Sequence, residues 1–104
     1  MKKIMLVCSA GMSTSLLVTK MEQAAEKVGD EVEIFALPMS DGINRLSTVD
    51  CVLLGPQVRF NLGKIKEEAA KVNPGLPVDV LDMKDYGMMN GEKVYNYAKK
   101  LMDE

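Results

Sequence analysis

Short runs of β-forming apolar residues alternate with amphipathic stretches along the whole chain, and that alternation leaves few folds open. Lys3 to Cys8 is an apolar run of strand length. Over Thr14 to Val28, Leu17, Met21, Ala24 and Val28 recur at helical spacing, and Gly29 supplies a stop. Glu31 to Leu37 then alternates, with Val32, Ile34 and Ala36 on one side, as suits a strand nearer a sheet edge. Pro38 to Val49 reads as a turn and a short amphipathic helix around Ile43, Leu46 and Val49. Asp50 to Leu54 is a third strand, stopped by Gly55-Pro56. Phe60 to Val72 predicts a helix with Leu62, Ile65, Ala69 and Val72 inside, ended by Pro74-Gly75 and Pro77. Val78 to Leu81 is a fourth strand and Asp82 to Asn90 a loop. Gly91 to Met102 is the last helix, with Val94, Tyr97, Ala98 and Leu101 together.

The order βαβαβαβα predicts an α/β three-layer sandwich: a four-stranded parallel sheet with helices on both faces. Right-handed crossovers between parallel neighbours restrict its topology further. With 104 residues, a single domain over 1–104 is expected, large enough to bury a core without disulfides or a structural metal. In such sheets ligands sit at the carboxyl ends of the strands. The segments at that edge are Cys8 to Ser13, Leu37 to Asp41, Gly55 to Arg59 and Asp82 to Asn90, and chemistry is to be sought there.

Composition removes many alternatives. The chain has no histidine, which excludes imidazole bases, histidine triads, phosphohistidine and most zinc sites. No metal site or cofactor is expected. A net charge of -2 argues against a nucleic-acid partner, which calls for a basic face. No apolar run approaches the roughly 20 residues of a membrane span, and Ile4 to Cys8 is too short for a signal-peptide core. The expectation is a cytoplasmic protein that does not itself insert into a membrane. Its two cysteines, Cys8 and Cys51, form no CxxC and are expected to stay reduced.

The segment Cys8-Ser9-Ala10-Gly11-Met12-Ser13-Thr14-Ser15 leaves a strand and enters a helix. Small residues let its backbone curl so that several N–H groups converge on one concavity. The helix N-terminus adds unsatisfied N–H groups and the positive end of its dipole. Ser9, Ser13, Thr14 and Ser15 add hydroxyls. Such a cradle binds phosphate and favours thiolate over thiol, so a cysteine at its mouth is a nucleophile for phosphorus. A plainer reading makes Ser13 or Thr14 only a helix cap and Cys8 a small core residue; the cysteine and the loop together outweigh it. Cys51 lies inside a strand with no such loop after it and is expected in the core.

CSAGMSTSLLV, from Cys8 to Val18, resembles the phosphorylation loop of the enzyme IIB components of the sugar phosphotransferase system (PTS), lactose/cellobiose class. VLLGPQVR, from Val52 to Arg59, resembles that family's third strand and following loop, and Tyr86-Gly87 its last active-edge loop. The resemblance implies a relay. Cys8 would take phosphate from a phosphohistidine of a IIA protein and pass it to a cellobiose- or lactose-type disaccharide bound by a membrane IIC transporter. Ser9 to Ser15 would bind the phosphate, and Met12, Gln57, Arg59 and Tyr86 would form the partner surface. Gln57 and Arg59 are alternatively phosphate-facing, and Arg59 alternatively a solvated charge at a helix start. The best rival, low-molecular-weight tyrosine phosphatase, resembles the same fold and first-loop cysteine. Those enzymes place an arginine six positions after the cysteine to clamp the phosphoryl oxygens; here that position is Thr14. Asp41 and Asp82 are candidate general acids only under that rival reading, and turn residues otherwise. A flavodoxin-like flavin binder would not need Cys8 and usually offers aromatic residues to stack the ring, which are scarce here. A receiver domain lacks its acidic cluster, and a dinucleotide fold lacks GxGxxG.

Overall fold

The computed structural model describes residues 1–9 and 12–102, and the side chains of 12–14 are outside that description. The strands are β1 (Lys2–Cys8), β2 (Val32–Pro38), β3 (Cys51–Leu54) and β4 (Val78–Val80). The helices are α1 (Met12–Lys27), α2 (Met39–Gly42), α3 (Leu62–Val72), α4 (Met83–Gly87) and α5 (Gly91–Leu101), with 3-10 turns at Ile43–Thr48 and Pro56–Asn61. All neighbouring strands are parallel, in the order β2-β1-β3-β4. The expected α/β sandwich is therefore what forms.

The two interior strands explain the apolar runs. From Ile4 to Cys8 and from Cys51 to Leu54 every residue is buried, because helices cover both faces. Ile4 pairs with Cys51 and Val7 with Leu54. Alternation then sorts the side chains into two layers. Ile4, Leu6, Cys51 and Leu53 pack with Leu17, Met21 and Ala25 of α1 and Val94, Tyr95 and Ala98 of α5. Met5, Val7, Val52 and Leu54 pack with Leu46 and with Ile65 and Ala69 of α3.

Helix ends follow local chemistry. Gly29 adopts a positive φ of 77°; its N–H donates to the Glu26 carbonyl and that of Asp30 to the Ala25 carbonyl. This paired Schellman closure favours glycine. The Asp30 carboxylate then accepts from the Tyr95 hydroxyl and the Lys99 ammonium, both at 2.7 Å. Those bonds, Lys99 first, hold its pKa below the ordinary carboxylate value and tie the end of α1 to α5. At the other end of α5, a Cβ on Gly91 would stand 2.4 Å from the Lys20 carbonyl carbon and 2.6 Å from the Met21 nitrogen. Only glycine lets α5 start against the backbone of α1.

Four local expectations change. Val28 and Val72 are exposed, at 62% and 55%, since each lies past the last core contact of its helix. Ala25 takes the place expected of Val28. Tyr95 is buried in α5 and Tyr97 stands at the surface. The expected loop after β4 contains α4, nucleated by Asp82, whose carboxylate accepts from the Lys84 and Asp85 N–H groups.

Candidate functional site

Chain order and sheet order diverge between β1 and β3. The chain leaves β1 for β2 on one side and later returns to β3 on the other. This is the switch point where crossovers diverge and a crevice opens at the carboxyl edge. Cys8 is the last residue of β1, paired with Pro38 of β2. It is 3% exposed and shares the strand parity of Ile4 and Leu6, the α1 side of the sheet. Helix α1 begins at Met12 and carries no acidic residue in its first turn, so nothing in that turn opposes an anion at its N-terminus. Ser9 and Ser15 are exposed at this edge. Ala10 and Gly11, and the side chains of Met12, Ser13 and Thr14, lie outside the described residues.

The loop after β3 closes the other side. The Gly55 N–H donates to the Val7 carbonyl at 2.7 Å, bringing it against the end of β1. A Cβ at Gly55 would stand 2.9 Å from Gln57 Oε1 and 3.7 Å from the Cys8 Cβ. Glycine is needed here for close approach rather than for backbone angle, since its φ of -63° is ordinary. The missing side chain leaves room for the Gln57 carboxamide beside the cysteine. Gln57 Nε2 donates to the Tyr86 hydroxyl at 3.2 Å, so the loop after β3 is joined to α4 after β4. Tyr86 is buried in the core layer beneath. Three of the edge residues singled out in the sequence, Cys8, Gln57 and Tyr86, are thus brought together. The sequence marks Gly55 as a strand stop at this edge but does not assign it this packing role, although a glycine directly after a buried strand is a sign of close backbone approach.

Arg59 behaves differently. Its guanidinium donates to the Pro56 carbonyl at 3.4 Å and lies 4.9 Å from the Phe60 ring centroid. Phe60 is 81% exposed, so the pair forms an apolar and cationic knob on the rim. Asp82 is engaged as the cap of α4, as expected of a turn residue. A surface cavity of about 450 Å³ lies along β4, lined by Val80, Asp82, Asp85, Lys93 and Tyr97 among others. It includes none of Cys8, Gly55 and Gln57.

Cys51 supplies the contrast. It is fully buried at the start of β3, and burial, then Asp79, then Asp50, pushes its thiol up to about 12. Among the described residues no acidic, cysteine or histidine cluster could hold a metal ion. Among the same residues no helix is long and apolar enough to cross a membrane.

The chain is thus a doubly wound parallel α/β protein with a cysteine at its switch point, ahead of a helix N-terminus. The model of the PTS lactose/cellobiose-specific IIB subunit matches residues 3–97. The oligo-beta-mannoside-specific EIIB component of Bacillus subtilis (strain 168) is 46% identical over 102 residues, spanning 98% of this chain and 97% of the relative. The galactose-specific EIIB component of Lactococcus lactis subsp. cremoris (strain MG1363) is 48% identical over 107 residues, with the same coverage of 98% and 97%. The lactose-specific IIB domain structure from Streptococcus pneumoniae superposes with a TM-score of 0.84 over 95% of both chains at 16% identity, a likeness of fold. The chain belongs to the lactose/cellobiose-specific IIB subunits of the sugar phosphotransferase system, which are phosphotransferase components of sugar uptake.

Proposed function

We propose that this protein, as one IIB domain over 1–104, carries a phosphoryl group on Cys8 between a IIA protein and a sugar held by a membrane IIC transporter. The observation that carries the proposal is the position of Cys8, at the end of β1 on the switch point and just before α1. The Cys8 thiolate attacks the phosphorus of the IIA phosphohistidine. The S–P bond forms as the N–P bond breaks, and the imidazole leaves with the electron pair and takes up a proton. A sugar hydroxyl in IIC then attacks phosphorus, the S–P bond breaks, and the thiolate leaves while the hydroxyl proton passes to a base in IIC. A thiol, with a reference pKa of about 8.5, is a far better leaving group than a sugar alkoxide, so the second step runs forward. Ser9 to Ser15, with Ala10, Gly11, Met12, Ser13 and Thr14 between them, form the phosphate-binding loop in this reading.

Both partners approach the same edge. Met12, Gln57 and Arg59 form the partner surface, with Tyr86, expected there from the sequence, buried beneath Gln57 instead, and the exposed Arg59–Phe60 pair gives it an apolar anchor inside a polar rim. The sugar is a disaccharide of the cellobiose or lactose type. The relatives' names span β-mannosides and galactose, which suits a carrier whose sugar contacts lie in IIC. The work is done in the cytoplasm. Thr14 stands where a phosphatase has its arginine, which suits a thiophosphate that must outlast water until IIC docks. Intact mass after incubation with phosphorylated IIA, followed by mapping of the modified residue, tests the proposal. One phosphate on Cys8 is expected; phosphate elsewhere, or none, overturns it.

A further inference from the structure

Gln57 is an exposed residue on the edge loop, yet its carboxamide has a fixed partner in a buried tyrosine. Nε2 donates to the Tyr86 hydroxyl, and Oε1 lies 2.9 Å from where a Cβ on Gly55 would stand, a point itself 3.7 Å from the Cys8 Cβ. We propose that Gln57 contacts the phosphoryl group on Cys8 and that Tyr86 is its positioning residue, letting the carboxamide reverse as phosphate arrives. The inference rests on the carrier role of Cys8 and adds a residue and a switching step to it.

The chemistry is specific. A phosphoryl group at Cys8 brings close to two negative charges and three acceptor oxygens. Gln57 Oε1 would then face anionic oxygens, a repulsive arrangement. Rotating the carboxamide turns an Nε2–H toward the phosphoryl oxygen and Oε1 toward Tyr86. A phenol both donates and accepts, so the Tyr86 bond survives with its direction reversed: the tyrosine O–H now donates to Oε1. No charge or bond to phosphorus changes in this step. Its neutrality matters. A guanidinium would hold the transferring oxygens strongly, as a phosphatase clamp does, whereas an amide orients the phosphoryl group and still releases it. The nearby guanidinium of Arg59 is engaged with the Pro56 carbonyl and the Phe60 ring. Gly55 is what brings the two together, since any Cβ there would displace Oε1.

The test follows the Gln57 side-chain amide by nitrogen-15 NMR in the full chain, before and after phosphorylation by a phosphorylated IIA protein of the lactose/cellobiose class. Single-turnover transfer is timed on the same samples. Gln57 Nε2H2 resonances are expected to shift when Cys8 is phosphorylated, and Tyr86→Phe is expected to diminish that shift. Gln57→Glu keeps the shape but adds a negative charge, and is expected to slow phosphoryl arrival at least tenfold. Tyr86→Phe is expected to slow it about threefold. A merely structural role for the Gln57–Tyr86 bond would leave the phosphorylation-dependent shift unexplained. Cys8 mapped as phosphorylated with the Gln57 amide unmoved, or with Gln57→Glu transferring at wild-type rate, overturns this inference and leaves the carrier role standing. Failure of wild-type Cys8 to take up phosphate overturns both, and the mapping distinguishes the two failures.

Discussion

Cys8 and Cys51 sit on neighbouring strands, both almost fully buried, yet they occupy opposite ends of the sheet. Cys51 faces Ile4 near the amino edge. Its surroundings are apolar side chains with the carboxylates of Asp50 and Asp79 nearby, and all three influences favour the neutral thiol. Cys8 ends β1 at the carboxyl edge, before the N-terminus of α1 and beside the Gln57 carboxamide. Burial alone therefore does not distinguish the two thiols. What separates them is position: Cys8 stands just before a helix N-terminus with its unsatisfied N–H groups, and Cys51 at the opposite end beside two carboxylates.

The sharpest way to break this contrast is to exchange the roles. Cys8→Ser is expected to abolish labelling by phosphorylated IIA, while Cys51→Ala is expected to label at wild-type rate, both followed by intact mass. Labelling that persists without Cys8 would end the distinction. A second change acts on the geometry at the Cys8 end alone. Gly55→Ala places a Cβ 2.9 Å from Gln57 Oε1 on an ordinary backbone conformation. The atom displaced is the far end of a flexible side chain, so stability should fall by less than about 1 kcal/mol. Phosphoryl transfer should slow about tenfold, since misplacement near 1 Å at a reacting group costs one to two powers of ten. Rapid-quench transfer and thermal melting measured on one sample check both halves.

Much of the contrast is legible in the sequence itself, and the reasons are local. The Cys8 loop announces itself by small polar residues between a strand and a helix, and Cys51 by apolar neighbours with none. The alternation of elements specifies the parallel sheet. Strand order β2-β1-β3-β4 is not readable in the same way, because the side on which each crossover returns depends on packing of whole helices. The Gln57–Tyr86 bond spans 29 residues; each residue stands out at the edge, but their meeting requires β3 and β4 to be neighbours. Helix α4 escapes a reading by periodicity although its signal lies in the chain: Asp82 stands three residues before Asp85, the spacing of an N-cap acid before a first-turn acid. Val28 and Val72 show the limit of periodicity, which continues the stripe past the point where the sheet ends. Gly91 carries a close helix approach that no periodicity encodes, and Gly91→Ala is expected to cost about 3 kcal/mol through overpacking against the α1 backbone.

The smallest expected effect tests the inert end. Cys51→Ala should cost about 1 kcal/mol near neutral pH, the loss of one buried sulfur from a packed layer. Its pH dependence is the more telling part. In the folded chain the Cys51 thiol is pushed up to about 12 from an ordinary 9.0, so the fold holds its proton where the unfolded chain releases it. The raised value means that this contribution is fully present below about 9 and is lost as pH climbs toward 12. Tyr97 is raised over the same range, from 10.0 to about 12, chiefly by its hydrogen bond to Asp79. It stands at the surface, where solvent weakens the effect, and the Cys51 charge is the last of the causes that raise it, so a difference between wild type and Cys51→Ala reports the thiol together with that coupling. Denaturant melts from pH 7 to 10.5 are expected to show wild type ahead at neutral pH and the gap closing above pH 9. A gap that stays constant across that range would mean that the fold does not hold the Cys51 proton, and the opposition between the two ends of the sheet would then rest on Cys8 alone.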